Sequence, residues 1–310
     1  MITVAGFNTA IDRLVSIDTL VPGEVRRAAQ VQAYPGGKGL HVAQTIAALG
    51  EPVQLVGLTD AIHRNLVARR LSERGVLFHG VEITDELRSC IAVRERDGRV
   101  TEMLDPGPLL TAQACKQLLE LLGRCADGSD AMVLSGSLPR GFADDTYAQL
   151  VRDIDQSALP CLVDASGPAL RHAADSGAFL VKPNRDEAAE LIGRPIETVE
   201  DAVAAARHLS GRGIARPVVT LGALGAVGFD GEALWHASIA IDDSVNAVGS
   251  GDCFLAGVAV GLKRSGALGE ALRLGVACGA ANAMQMETGY VRRADVDALL
   301  EQVRLTRMDG

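Results

Sequence analysis

The stretch AMVLSGSLPRGFADDTYAQLVRDIDQSALPCLVD, residues 131–164, holds one complete unit of the pattern that decides the fold. Ala131–Ser135 is a short apolar run, Asp144–Ile154 an amphipathic stretch, and Cys161–Asp164 a second apolar run. A strand, a covering helix and a further strand parallel to the first follow from that order. The alternation extends outward: Ile2–Phe7 then Gly39–Leu49, Val53–Gly57 then Arg64–Arg74, Cys161–Asp164 then Pro168–Ala174, Phe179–Val181 then Arg185–Ile192. It predicts an α/β fold, a mostly parallel sheet covered by helices.

A second pattern interrupts the first. Ser89–Arg96 and Arg99–Leu104 read as strands joined by Asp97-Gly98, a two-residue hairpin signal. With the strand-like Leu14–Ile17 and the segment Val25–Tyr34, they predict a small sheet of their own. Its apolar face and free edge must cover something or pair with a partner. After Arg216–Leu221 the chain turns antiparallel through Gly225–Phe229 and Ala233–Ser238. Helices are then expected at Asp252–Arg264, Leu268–Met286 and Ala294–Leu305. With no Pro/Ser-rich or charged linker, residues 1–310 read as a single domain with the small sheet, about 12–35 and 86–105, inserted in it.

Composition excludes several function classes. A formal net charge of −9 argues against non-specific binding to nucleic acid or to an anionic membrane, and 3% aromatic residues leave few platforms for base stacking. The six cysteines form no C-x-x-C pair and the histidines no H-E-x-x-H pattern, so buried thiols in a reducing cytoplasm are expected and no structural zinc. No apolar run reaches the length of a membrane helix, and Asp12 and Arg13 break the early apolar stretch, unlike a signal peptide.

The chemistry concentrates in Asn246-Ala247-Val248-Gly249-Ser250-Gly251-Asp252-Cys253, a glycine-flanked turn that delivers one carboxylate to the start of an apolar helix. Backbone N–H groups of Val248 to Gly251 can converge there on a phosphate at the positive helix end, with Asp252 placed to take a proton from an attacking hydroxyl. Read alone, the segment is equally a loop-to-helix junction capped by Asp252. Pro35-Gly36-Gly37-Lys38-Gly39 packs three glycines around a lysine before a helix, suited to a ligand or to a tight turn with a solvated side chain. Lys182-Pro183-Asn184-Arg185-Asp186-Glu187 opens another helix, with Asn184 and Glu187 at a phosphate or Mg²⁺ shell, or as a cap with an acidic first turn. Ser135–Pro139 and Thr220–Gly225 add small-residue turns suited to a pocket wall. Neither a complete G-x-x-x-x-G-K-S/T loop nor a G-x-G-x-x-G fingerprint is present, which removes a Walker-type site and argues against a dinucleotide dehydrogenase, an option that absence of NAD(H) binding would retire.

The ordered set Asn8–Asp12, Gly36–Gly39, Ser135–Gly141, Lys182–Glu187, Thr220–Ala226 and Val248–Asp252 resembles the ribokinase-like carbohydrate kinases of the PfkB family, over nearly the whole chain. Pro22–Val25, Arg88–Ala92, Thr101–Pro108 and Asn246–Asp252 echo the branch of tagatose-6-phosphate kinase and 1-phosphofructokinase. The resemblance implies a kinase using ATP and Mg²⁺ on a phosphorylated ketohexose, with Asp252 as base and Gly249, Ser250 and Gly251 stabilising the transferring group. It implies that Asp12, Gly36, Gly37, Lys38, His41, Arg88 and Ser137 hold the sugar phosphate. Lys182, Asn184, Thr220, Gly222, Gly225 and Asn282 would lie along ATP, and Glu187 would reach Mg²⁺ through water. The small sheet would be a lid, as which it often packs into a homodimer in relatives. The departures bear on the substrate: His41 stands where this branch usually has Asn, Ser89 replaces a frequent Asn, and Ala247 sits at a usual Thr or Pro, while Cys90 and Ala92 agree with the tagatose-6-phosphate type. A kinase for an unphosphorylated sugar or nucleoside and a catalytically silent sensor are the competing readings.

Overall fold

The computed structural model describes residues 1–155, 159–241 and 244–308. In chain order the first elements are β1 (Ile2–Gly6), β2 (Ala10–Ser16), β3 (Gln30–Gly36), α1 (Lys38–Ala48), β4 (Val53–Asp60), α2 (Arg64–Glu73) and β5 (Leu77–Ile83). There follow β6 (Arg88–Arg94), β7 (Val100–Leu104), α3 (Ala112–Ala126), β8 (Ala131–Ser135), α4 (Thr146–Asp155), β9 (Cys161–Asp164), α5 (Gly167–Ala174) and β10 (Leu180–Val181). The last part holds α6 (Arg185–Ile192), α7 (Val199–Gly211), β11 (Val218–Thr220), β12 (Ala226–Phe229), β13 (Leu234–Ser238), α8 (Ser250–Ser265), α9 (Leu268–Ala283), α10 (Arg293–Leu300) and β14 (Arg304–Met308).

Among the described residues these strands form three sheets. The largest has the order β10-β9-β8-β1-β4-β5 with every pairing parallel. Its central strands read Ile2-Thr3-Val4-Ala5-Gly6 and Ala131-Met132-Val133-Leu134-Ser135 and are buried throughout, as a parallel sheet covered on both faces requires. An antiparallel sheet β11-β12-β13-β14 continues the body. The third sheet, β3-β2-β6-β7, is small and mixed, with β2 and β6 parallel.

The α/β expectation and the separate small sheet are both present. The Asp97-Gly98 turn joins β6 to β7, with Gly98 at φ 89 and Asp97 Oδ1 accepting from Arg99 N–H at 3.0 Å. Corrections fall at element ends and in short strands. β2 begins at Ala10, because pairing with β3 and β6 carries the strand straight through the polar Asp12 and Arg13. β3 begins at Gln30 instead of Val25. The last helix stops at Leu300, and Arg304–Met308 joins β13 as an edge strand whose two arginines masked its pattern. β5, α3 and α7 were not foreseen. All six cysteines are free, five of them buried and Cys90 half-buried on the small sheet. No helix among the described residues is long and apolar enough to cross a membrane.

One close approach fixes α1 against the main sheet. A Cβ on Gly39 would stand 2.2 Å from Gly6 Cα and 3.0 Å from Gly6 N, and backbone atoms cannot step aside as a side chain can. Gly39→Ala is therefore expected to lower stability by about 1–3 kcal/mol or more, read from the urea midpoint. An unchanged midpoint would mean that α1 can shift on the sheet.

Candidate active site

A cleft of about 1400 Å³ opens at the carboxyl ends of the parallel strands, between the small sheet and the body. That edge is where open α/β sheets bind ligands. The cleft draws Asp12, Arg88 and Glu102 from the small sheet, Lys38 and His41 from α1, and Asp164 from the end of β9. Thr220, Gly222 and Gly225 follow β11, and Asp252 comes from the first turn of α8.

The turn before α8 is held from three sides. Gly249 takes φ 81, and a Cβ there would meet Gly289 N at 2.6 Å, so only glycine fits. Asn246, buried, donates from Nδ2 to Met286 O at 3.2 Å and Thr288 Oγ1 at 3.1 Å and accepts the Val248 N–H at 3.1 Å. Asn282 donates to Val248 O at 2.9 Å and Ser250 Oγ at 3.0 Å and accepts the Tyr290 N–H at 3.1 Å. Asn282 is fully buried with its amide occupied, so its place is behind the turn instead of along a nucleotide as expected. The turn also offers fewer donors than expected: Val248 N–H goes to Asn246 and Ser250 N–H to Ala247 O at 3.1 Å. The N–H groups of Gly249 and Gly251 have no partner among the described residues. They form an anion seat at the positive end of a 16-residue helix.

Beside that seat sits a buried ionic cluster. Lys182, 3% exposed, has its Nζ 3.7 Å from where a Cβ on Gly251 would lie. The same Nζ is 3.3 Å from Asp164 Oδ2, close enough for charge though off the angle for a hydrogen bond. Lys38 donates to Asp164 Oδ1 at 3.4 Å, with 40% of its side chain exposed to the cleft. Burial alone would raise the Asp164 carboxyl, but the charges of Lys182 and Lys38 hold it below the usual range. Asp164 in turn holds Lys38 above the ordinary lysine value, against burial.

On the small-sheet side, Asp12 rests against Gly36, where a Cβ would come within 2.1 Å of its carboxylate. Gly36 therefore leaves room for Asp12 and does not line the cleft, whereas Gly37 does, at φ 97. His41 bonds Asp12 Oδ2 at 3.0 Å and Asp252 Oδ2 at 2.9 Å, joining the small sheet to the start of α8. Arg88 donates from Nε to Asn8 O at 3.2 Å and from a terminal nitrogen to Asp105 O at 3.4 Å, and to no carboxylate. Asn8 Nδ2 donates to Ser137 Oγ at 2.9 Å, fixing that hydroxyl on the cleft wall. Asn184 caps α6 reciprocally with Glu187, each accepting from the other's N–H at 2.9 Å. Thr220 N–H meets Pro183 O at 3.1 Å, which binds the two turns together. Gly222 and Gly225 follow at φ 61 and 87.

The metal question narrows to Glu187. Among the described residues no group of three His, Cys, Asp or Glu side chains is arranged to hold a metal ion, so the protein alone provides no cage. Glu187 uses Oε2 in its cap and keeps Oε1, which fits a cation held mainly by phosphate oxygens and water.

The model of pfkB family carbohydrate kinases matches residues 4–293. The chain belongs to that family. A 1-phosphofructokinase of Bacillus subtilis (strain 168) is 31% identical over 308 residues, covering 99% of this chain and 100% of the relative. Phosphofructokinase-2 from Escherichia coli, solved in complex with substrates and products, superposes with a TM-score of 0.90 at 28% identity, over 97% of this chain and 98% of that one. Its tetrameric inhibited form gives a TM-score of 0.88 at 27% identity over the same shares.

The sequence reading of this kinase missed Asp164, Glu102 and Asn8 as parts of the site. For Asp164 a signal existed, a carboxylate ending a parallel strand at the ligand edge. Asp164→Asn is expected to cost about 3–5 kcal/mol, because it leaves a buried lysine charge uncompensated. Adding Lys182→Met should recover part of that loss in chemical denaturation. Simple additivity of the two substitutions would show that the pair is not what stabilises the cluster.

Proposed function

We propose that this carbohydrate kinase transfers the γ-phosphoryl of ATP to a hydroxymethyl of a phosphorylated ketohexose, of the fructose 1-phosphate or tagatose 6-phosphate class, giving a bisphosphate. The observation that carries the reading is the placement of buried Asp252 beside the open N–H groups of Gly249 and Gly251, with Lys182 at their side. The substrate hydroxyl gives its proton to Asp252, and its oxygen forms a bond to the γ-phosphorus. The bond from that phosphorus to the bridging oxygen breaks, and its electron pair leaves with ADP. Gly249 and Gly251 donate to the equatorial oxygens as charge shifts across them, and they are fixed before the reaction by Asn246 and Asn282. Glu187 would hold Mg²⁺ through water, and the ion would supply neutralisation of the charge on the phosphates of ATP.

The turns at Asn184 and Thr220–Gly225 would line the adenosine side. Arg88 carries the case for a phosphorylated sugar. It is bonded only to carbonyls, so its charge is free for an anion, and Lys38 presents its exposed part to the same cleft. The small sheet would act as the lid. It exposes Val31 and Met103, and the segment between β2 and β3 exposes Val25, all of which a second copy of this chain would cover; phosphofructokinase-2 itself has been solved as a tetramer.

A panel of fructose 1-phosphate, tagatose 6-phosphate, fructose 6-phosphate and free hexoses, read by ADP release, tests the class. Preference for a free hexose would overturn the sugar-phosphate reading, and no turnover on any of them would favour a sensor. Asp252→Asn should lose about 10²-fold or more in kcat while still binding both substrates. Near-native turnover would remove Asp252 as the base. Arg88→Ala should cut kcat/KM roughly 30-fold or more on the sugar phosphate, from a contact of about 2–5 kcal/mol, with little change on a free hexose. Glu187→Gln keeps the cap and removes the charge, so its defect should be relieved by raised Mg²⁺.

A further inference from the structure

His41 meets two carboxylates at once, with Nε2 3.0 Å from Asp12 Oδ2 and Nδ1 2.9 Å from Asp252 Oδ2. A neutral imidazole has one N–H and one lone pair, so it can serve one carboxylate and would set its lone pair against the other. With both carboxyls ionised, acceptors on both nitrogens require the imidazolium. The ring is 5% exposed and cannot turn aside. Gly289, at φ 65, lies so close behind it that a Cβ there would stand 2.1 Å from His41 Cγ.

The charged groups that act on the ring are Asp12 on β2, Asp252 on α8 and Glu102 on β7; Lys38 lies one turn before it on α1, and Tyr34 on β3 and Glu287, two residues before Gly289, complete the titratable surroundings through their interaction with each other and of Tyr34 with Asp12. Burial and the charges of Asp12 and Asp252 push the Glu102 carboxyl up, while His41 and Lys38 oppose the shift. Burial likewise raises the Tyr34 phenol, whose oxygen accepts the Thr288 N–H at 3.2 Å.

We infer that His41 is a cationic positioning residue, tying Asp12 of the small sheet to Asp252 of the body so that the two carboxylates take two hydroxyls of the same sugar. The inference rests on Asp252 being the base. Both bonds to the ring use Oδ2, and among the described residues neither Asp12 nor Asp252 has a partner on Oδ1, so each keeps one oxygen for substrate. An amide at this position has one nitrogen and cannot donate across the span to both. The strut thus holds the spacing between the oxygen that takes the reacting proton and the oxygen that orients a neighbouring hydroxyl.

The sign of its pH dependence follows. Burial would lower the imidazole, but the hydrogen bonds and charges of Asp12 and Asp252 outweigh it and raise it from 6.5 to about 10. The folded protein then binds one more proton than the unfolded chain between those values. The bridge's stability is fully present below 6.5 and is lost as pH rises through about 10.

The test uses the full chain labelled with ¹⁵N-histidine. Of the six histidines, one should keep both ring nitrogens protonated at pH 8 and vanish from the spectrum in His41→Gln. In Asp12→Asn, which keeps the side-chain shape and needs no change at His41, the same signal should return to an ordinary titration. A neutral single tautomer for His41 at pH 8 overturns the inference, whether or not His41→Gln folds. In turnover of whichever sugar phosphate the panel accepts, His41→Gln should lower kcat roughly 10- to 100-fold, leave the KM for ATP little changed, and lose the wild-type decline in kcat as pH climbs toward 10. Identical pH profiles for the two proteins would also overturn it. If no sugar phosphate is turned over, the functional assignment fails, while the nitrogen signals still decide whether the strut exists.

Discussion

Three carboxylates, Asp12, Asp164 and Asp252, are buried around one cleft, and neutralising them governs nearly every other group in it. A buried carboxylate without a partner is too costly to keep. Asp164 takes Lys182 and Lys38, while Asp12 and Asp252 share His41. Three cations are thereby engaged before any ligand arrives. In the proposed reaction, entering phosphates would be met by groups still free: the Gly249 and Gly251 N–H groups, the exposed part of Lys38, and Arg88, whose partners among the described residues are carbonyls. The pairing of acids with bases thus sorts the cleft into proton-handling groups and phosphate-handling groups.

In the proposed reaction the donors aimed at the transferring group are backbone, and backbone is rigid only when its surroundings are. Asn246 and Asn282 supply that rigidity from behind, one bonding Val248 N–H and the other Val248 O and Ser250 Oγ. Neither touches the cleft wall directly in a catalytic role. Their contribution is that Gly249 can remain at φ 81 against Gly289 without the turn relaxing. Donors fixed in advance need no reorganisation when charge develops, which is where electrostatic catalysis gains most.

What could be read in the sequence was what is local. The alternation around residues 131–164 fixed the sheet type, and Gly249, at φ 81, marked the turn because its conformational need is written at its own position. The Asn184–Glu187 cap was legible for the same reason, since both partners lie within one turn. Partnerships across the chain were not. His41 and Asp252 are 211 positions apart, so the departure at His41 could be noticed from sequence while its two carboxylates could not. Asn282 looked like a residue facing ligand and proved to be buried, because a lone polar residue on an apolar helix carries no sign of what it bonds. β14 escaped because an edge strand of Arg304–Met308 is set by pairing with β13 more than by its own pattern.

The small sheet adds a constraint of parity. Ala10 pairs with Arg88 and Asp12 with Cys90, and Ala92 pairs with Glu102, so Asp12, Arg88, Cys90, Ala92 and Glu102 all lie on one face of the sheet. That face lines the cleft. A slip of one residue between β2 and β6 would turn Arg88 away from the face that carries Asp12, separating the cation proposed to meet the sugar's phosphate from the acid proposed to meet its hydroxyls. The bond from Asp12 to His41 is anchored in the body through α1, so it opposes such a slip from outside the sheet. The same contact that sets the spacing of two carboxylates therefore also fixes β2, while the bond from Arg88 Nε to Asn8 O, two residues before β2, ties β6 to it in that register.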